Sequence, residues 1–166
     1  MKSRPRFLIA AAMGAMLAPP AHARESLGLY GTWGAFRDPL VPRCYAIAMA
    51  DPNAMRREYQ PFAAIGIWPR RGARGQVHFR LSRAVAPGTP ITLRIGSQRI
   101  VLTGGGGDAW PKDERDNAAI TAAMRSAPAM TVYARDTRRR PFFSTWTLAG
   151  AASAMDAALI GCARPR

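Results

Sequence analysis

Residues 91–102, ITLRI-GS-QRIVL, constrain the fold more tightly than any other stretch of the chain. Two five-residue runs flank Gly96 and Ser97, a two-residue loop suited to a type II′ turn because glycine accepts positive φ at the first central position. The resulting antiparallel hairpin sends Ile91, Leu93 and Ile95 to one face and Thr92 and Arg94 to the other. The same period of two recurs in GTWGAF (31–36), RCYAIAMA (43–50), FAAIGIW (62–68), GQVHFRLS (75–82), AMTVYAR (129–135) and FFSTWTL (142–148). Together these make about eight short strands, the pattern of a mainly β, antiparallel domain. In the 43–50 run Tyr45, Ile47 and Met49 form an apolar face and Cys44, Ala46, Ala48 and Ala50 a small-residue face, so both sides are expected to be covered. In the 75–82 run Val77, Phe79 and Leu81 alternate with Gln76, His78, Arg80 and Ser82, as in a half-exposed strand. The basic turn DTRRRP joins the last two strands in a second hairpin.

Two helices complete the expected architecture. Over 113–127, Asp113 is a suitable N-cap, Asp116 follows three residues on, and Ile120, Ala123, Met124 and Ala127 repeat at helical spacing before Pro128 stops the helix. In GAASAMDAALIGC (150–162), Met155, Leu159 and Cys162 stand at i, i+4 and i+7. The small-residue face of the 43–50 strand would admit such an Ala-rich helix closely.

The first 23 residues read as a Sec signal peptide. Lys2, Arg4 and Arg6 precede the apolar run FLIAAAMGAMLA, then come Pro19 and Pro20, and Ala21-His22-Ala23 fits the small-residue cleavage rule. The run is shorter than the ~20 residues of a spanning helix, and no transmembrane segment is expected in the mature chain. The remainder, residues 24–166, reads as one domain, placed in the periplasm or secreted. In an oxidising compartment the two cysteines, Cys44 and Cys162, suggest one disulfide that ties the C-terminal helix to the sheet; two free buried thiols are the alternative.

The chain carries 24 basic against 10 acidic residues, a formal net charge of +14. Such a balance suits a polyanion, and equally reflects an Arg-rich, GC-biased composition. Export separates the chain from cytoplasmic nucleic acid, which is not expected as a partner. Guanidinium forks at Arg135, Arg138, Arg139 and Arg140 are the best anion-binding candidates, extended by the outward Arg80, Arg94 and Arg99 if the hairpins share a sheet; a solvated basic turn is the plainer reading.

The run GGGGDAW (104–110) invites comparison with a phosphate loop. No G-x-x-x-x-G-K-[ST] is present. Gly104, Gly106 and Ala109 formally meet G-x-G-x-x-G/A, but the strand before them is a hairpin arm, Asp108 brings negative charge, and Pro111 delays the helix. The glycines are therefore expected to form a flexible joint, with Trp110 anchoring it to the core.

Candidate chemistry is sparse. His78 is the histidine left after leader removal, and as an exposed imidazole it could act as a base; with no acid or nucleophile obviously alongside, a solvated strand residue is the expectation. One His and two paired Cys give no clustered metal ligands, no cofactor is implied, and there is no G-x-S-x-G elbow. Asp113, Glu114 and Asp116 crowd a helix start, which is capping.

In order, GTWGAF, RCYAIA, AWPKDERDNAAITAAMRSAPAMTVYA and FSTWTLAGAASAMDAALIGC resemble the invasion-associated locus B family of exported bacterial proteins, over most of residues 29–163. The resemblance implies a compact β-sandwich-like domain, export and no known catalytic activity. The chain departs from the pattern in the glycine run and at 138–140, where a glycine-containing turn would be expected. The expected function is a non-enzymatic envelope or surface interaction protein with an envelope or host partner; the alternatives are a module binding lipid phosphate or acidic glycan through the arginines, and an enzyme using His78.

Overall fold

The computed structural model describes residues 24–38 and 40–163; the expected signal peptide lies outside the described residues. In chain order the strands are β1 (Glu25–Tyr30), β2 (Trp33–Asp38), β3 (Arg43–Met49), β4 (Phe62–Trp68), β5 (Ala73–Val85), β6 (Ile91–Ile95), β7 (Gln98–Pro111), β8 (Ala129–Arg135) and β9 (Pro141–Thr147). Helix α1 (Glu114–Ala123) follows β7, and α2 (Ala151–Ala163) follows β9. They form one antiparallel sheet in the order β1-β2-β3-β4-β5-β7-β6-β8-β9. The strand beyond the eight expected is β1. Its ESLGLY sequence hides the period because the register slips between Ser26 and Gly28 and Leu29 points to solvent.

The sheet folds over on itself at the join between β5 and β7. Residues at the start of β7 pair with β6 (Ile91↔Leu102 through Ile95↔Gln98). Farther along, β7 pairs with β5 at Phe79↔Ala109 and Arg80↔Asp108, then again at Val85↔Gly106 after a break in register. The glycine run is the corner between these two pairings. A Cβ at Gly104 would lie 2.2 Å from the Asp108 carbonyl oxygen, so only hydrogen fits where the strand doubles close to itself. The expected flexible joint is thus corrected: residues 104–107 belong to a continuous strand, in which Gly104 and Gly107 lack room for a Cβ, the latter against Tyr59 at 2.7 Å, and Gly106 takes φ 57°. Ser82, expected on the exposed side of the alternation, is buried, and its carbonyl accepts the Glu58 and Tyr59 amides.

Folding over brings the two halves face to face around one core. The Phe79 and Trp146 rings lie 5.6 Å apart, the Trp33 indole N–H donates to the Thr147 carbonyl at 2.9 Å, and the Asp51 amide donates to the Thr145 carbonyl at 2.8 Å. The expected hairpin is seen: Ile91, Leu93 and Ile95 are buried, and Gly96 turns it at φ 57°.

Both helices close the core by recognisable means. Asp113 caps α1 by accepting the Asp116 amide at 2.9 Å, and Ile120 and Met124 are buried. Asn117 fastens this helix to β5 by accepting the Val77 amide and donating to the Gly75 carbonyl. Helix α2 presents Ala151, Ala154, Met155, Ala158 and Gly161 to the sheet, opposite Ala46 and Ala48 of β3. The expected stripe of Met155, Leu159 and Cys162 is rotated: Leu159 is 43% exposed, because close approach to an alanine face selects the smallest residues for the contact. The Cys44–Cys162 disulfide is formed, with Cα atoms 5.7 Å apart.

Candidate functional site

Alternation that buries one side of β3, β4 and β5 leaves the other side facing out. Across the three strands, Tyr45 is in register with Gly66 and Gln76, Ile47 with Ala64 and His78, and Met49 with Phe62 and Arg80. The central strand therefore supplies small residues, Gly66 and Ala64, between larger neighbours on both sides. The result is a groove of about 560 Å³, within the usual size range of small-ligand sites. The Trp68 indole lies against Gly66, where a Cβ would stand 2.2 Å from the ring. At the far wall Trp110 stacks on His78, with centroids 5.2 Å apart and planes 16° from parallel, while Phe62 meets His78 edge-on at 5.5 Å. Trp110 is 37% exposed. It is a groove wall, not the core anchor expected of it, because the strand continues past the glycines and keeps it on the outer face.

Charge is distributed unevenly along the groove. Arg24 and Arg43 line it and no carboxylate does among the described residues. The Arg43 guanidinium lies 5.1 Å over the Tyr45 ring and donates to Asp38 at 3.5 Å, an ion pair at the outer limit of a hydrogen bond. Its Nε is buried and has no acceptor among the described residues. Beyond Trp110 a second depression of about 340 Å³ carries Asp113 and Glu114 at the start of α1.

His78 is not the solvated residue expected. Its Nε2 is 2.9 Å from Asp108 Oδ1, and the other Asp108 oxygen pairs with Arg80, whose guanidinium covers the Tyr59 ring at 4.1 Å. Asp108 thus orients the imidazole. No hydroxyl or thiol is bonded to His78 among the described residues: both cysteines are in the disulfide, and the buried Ser82 and Ser144 hydroxyls have no hydrogen-bond partner among the described residues. The arrangement presents an oriented imidazole without a nucleophile, and no group of three metal-ligating side chains occurs among the described residues.

The candidate arginines fall into three places. Arg80 is committed to Asp108. Arg94 and Arg99 face each other across the β6–β7 hairpin beside Thr92 and Tyr133, around an open depression of about 320 Å³. The 135–140 turn is organised by the buried Asp136, which accepts the Arg138 and Arg140 amides at 3.0 Å, the Arg140 Nε at 3.0 Å and the Arg83 Nη1 at 3.1 Å. Burial works to raise the Asp136 pKa, but the Arg140 amide and guanidinium and the Arg138 amide outweigh it and hold the carboxyl at about 2. Arg135 donates to the Arg139 carbonyl. Arg139 itself adopts φ 60°, the conformation for which a glycine is the expected residue.

Tyr45, Trp68, Trp110 and Arg43 were not singled out as site residues by the sequence pattern. For Tyr45 the signal was the apolar second face of the 43–50 run, which reads as covered and is here the groove wall; Arg43, Trp68 and Trp110 come together only through the strand register.

No protein-family model and no curated protein matches the chain. Among solved structures the fold is similar to the crystal structure of invasion associated protein B from Bartonella henselae, with a TM-score of 0.56 and 15% sequence identity, over 82% of this chain and 98% of that one. At this identity the likeness is one of fold.

Proposed function

We propose that this chain is an exported, non-enzymatic interaction protein of the cell envelope or surface, and that it takes its partner in the groove on the outer face of β3–β5. The groove carries this reading. Its aromatic walls are held apart by Ala64 and Gly66, and concave aromatic surface flanked by cations is costly to leave bare unless something binds there. Export is supported by the leader-like N-terminal sequence and by the disulfide, which belongs to an oxidising compartment. Fold likeness to a protein titled invasion associated supports a role at the envelope or surface. The absence of a nucleophile beside His78 among the described residues favours binding over catalysis.

The test is to fractionate envelope material into lipid, glycan and protein and titrate each against tryptophan fluorescence. Trp33 and Trp146 are fully buried, so quenching reports on Trp68 and Trp110. At least one fraction should quench the native protein through a Trp110-dependent response and leave a Trp68→Ala, Trp110→Ala double variant unaffected. Silence from all three, or equal quenching of the native protein and the double variant, would remove the groove from consideration.

A second reading, an anion-binding surface, is favoured by the Arg94–Arg99 pair. Like charges directly opposite each other are unfavourable in a sheet, and no carboxylate pairs with either among the described residues. Vesicles of anionic lipid should then bind in a salt-dependent way, and Arg94→Ala with Arg99→Ala should abolish it; unchanged binding would dismiss this surface. A parallel Arg138→Ala, Arg139→Ala, Arg140→Ala variant asks whether the turn contributes.

A further inference from the structure

We infer that the groove recognises an acidic oligosaccharide of hexuronate type, its pyranose rings laid against Trp110 and Trp68 and a carboxylate held by Arg43; this rests on the reading of the groove as the binding surface. Four observations select that chemistry. First, the floor is the face of β4, a strand paired on both sides with β3 and β5. Its backbone groups are already used, so an extended peptide could not add to it by main-chain hydrogen bonds, the usual source of affinity for a bound strand. Second, the groove is partly open to solvent. A lipid chain lying in it would stay wet on one side, whereas a sugar keeps its hydroxyls in water and buries only its C–H face.

Third, the walls are flat. Trp110 is backed on one face by His78, so the ring is fixed and its remaining surface is partly open, a platform for the apolar face of a pyranose. Gln76 and the His78 imidazole stand on the same wall with donors and acceptors for hydroxyls. The strands β3 and β5 lie two strand spacings, about 10 Å, apart, so the fit is to a short oligosaccharide.

Fourth, the charge has a direction. Arg43 lines the groove with a third of its side chain exposed and holds only a 3.5 Å contact to Asp38. A carboxylate would accept from the terminal nitrogens of its guanidinium, the fork geometry for which arginine is suited. At the other end, past Trp110, Asp113 and Glu114 share the depression with a single cation among the described residues, Arg74, so that end favours an anion less than the end lined by Arg24 and Arg43. The carboxylate therefore sits at the Arg43 end.

The experiment titrates the oxidised protein with trisaccharides of galacturonate, mannuronate and glucuronate, with the uncharged hexose trisaccharide of matching linkage, and with sodium acetate, reading tryptophan fluorescence and amide chemical shifts. At least one uronate should bind and shift amides of β3–β5. Its neutral counterpart, acetate, and the Arg43→Gln and Trp110→Ala variants should each bind roughly tenfold more weakly or worse, while circular dichroism and melting confirm that both variants are folded. Equal affinity for the neutral sugar overturns the role of Arg43, and undiminished binding by Trp110→Ala overturns the stacking. If no uronate binds while an envelope fraction still quenches in a Trp110-dependent way, the ligand class is wrong and the groove stands. If a protein or lipid fraction alone does so, the occupant is that class instead. If nothing quenches, both fall together.

Discussion

Removing the Cys44–Cys162 cross-link should cost this domain a large share of its stability. The cysteines are 118 residues apart, and closing a loop of that size restricts the unfolded chain by about 5 kcal/mol in the chain-entropy model, an upper figure. Domains of this class hold about 5–15 kcal/mol in all. For about 140 folded residues each kcal/mol moves the melting point by roughly 3 °C, so the reduced protein should melt on the order of 15 °C lower. Two samples separate the cross-link from the packing of its sulfurs. Reduced wild type keeps both sulfur atoms near a buried face, and the double variant Cys44→Ala, Cys162→Ala removes them; both should lose most of the same amount. The loss should be global, because releasing α2 would bare the alanine face of β3 and the neighbouring core. Amide exchange should accelerate in β3 as well as in α2. Reduced and double-variant proteins that melt within about 3 °C of the oxidised one would refute the reasoning. Accelerated exchange confined to α2 would show that the bond only retains a helix.

Other expected outcomes follow from single sites. The Asp136 carboxyl titrates at about 2 in the folded chain against an ordinary 3.8, so the unfolded chain protonates first on acidification; its contribution is full above about pH 4 and lost toward about pH 2. Asp136→Asn should lower the melting point at neutral pH and flatten its fall between those values; an unaltered slope would discount Asp136. Gly104→Ala places a Cβ 2.2 Å from a backbone oxygen, and a cost of about 2 kcal/mol or more is expected in denaturant unfolding, with a smaller change contradicting the tightness of the corner. By contrast the Arg125–Asp156 pair is about half exposed on both partners, and Asp156→Asn should change stability by ~1 kcal/mol or less. Arg139→Gly relieves a left-handed residue while loosening the unfolded chain, and should leave stability within about 1 kcal/mol of the native value.

Local patterns were readable wherever their physics is local. The β6–β7 hairpin follows from Gly96 and the alternation beside it, and the start of α1 follows from Asp113. The cysteine pairing follows from compartment and parity. The groove follows from none of these. His78 and Asp108 meet across 30 positions of sequence, and the register that joins them is set by the break between Arg80 and Val85, which leaves no periodic trace. Glycines without side chains carry no alternation, so β7 reads as ending at Leu102 although it runs on to Pro111, and Trp110 loses its place on a face. In the 135–140 turn the arginines draw the eye, yet Asp136 determines their geometry. An aspartate two and four residues before the amides it accepts is a readable turn signal.

One strand serves both halves of this molecule at adjacent positions. Cys44 is bonded to α2 on the inner side of β3, while Arg43 and Tyr45 beside it furnish the groove on the outer side. Two sets of residues therefore answer to different demands though they interleave in the chain. Substitution at Ile47, Phe62 or Trp68 should change the outer face while sparing the alanines and branched residues that hold the halves together, whereas Tyr45 is itself buried, packed against Phe36. If the groove binds as proposed, its ligand can be exchanged with the architecture kept. The inner face, with its disulfide and alanines, and the outer face of the same strand are thus open to separate change.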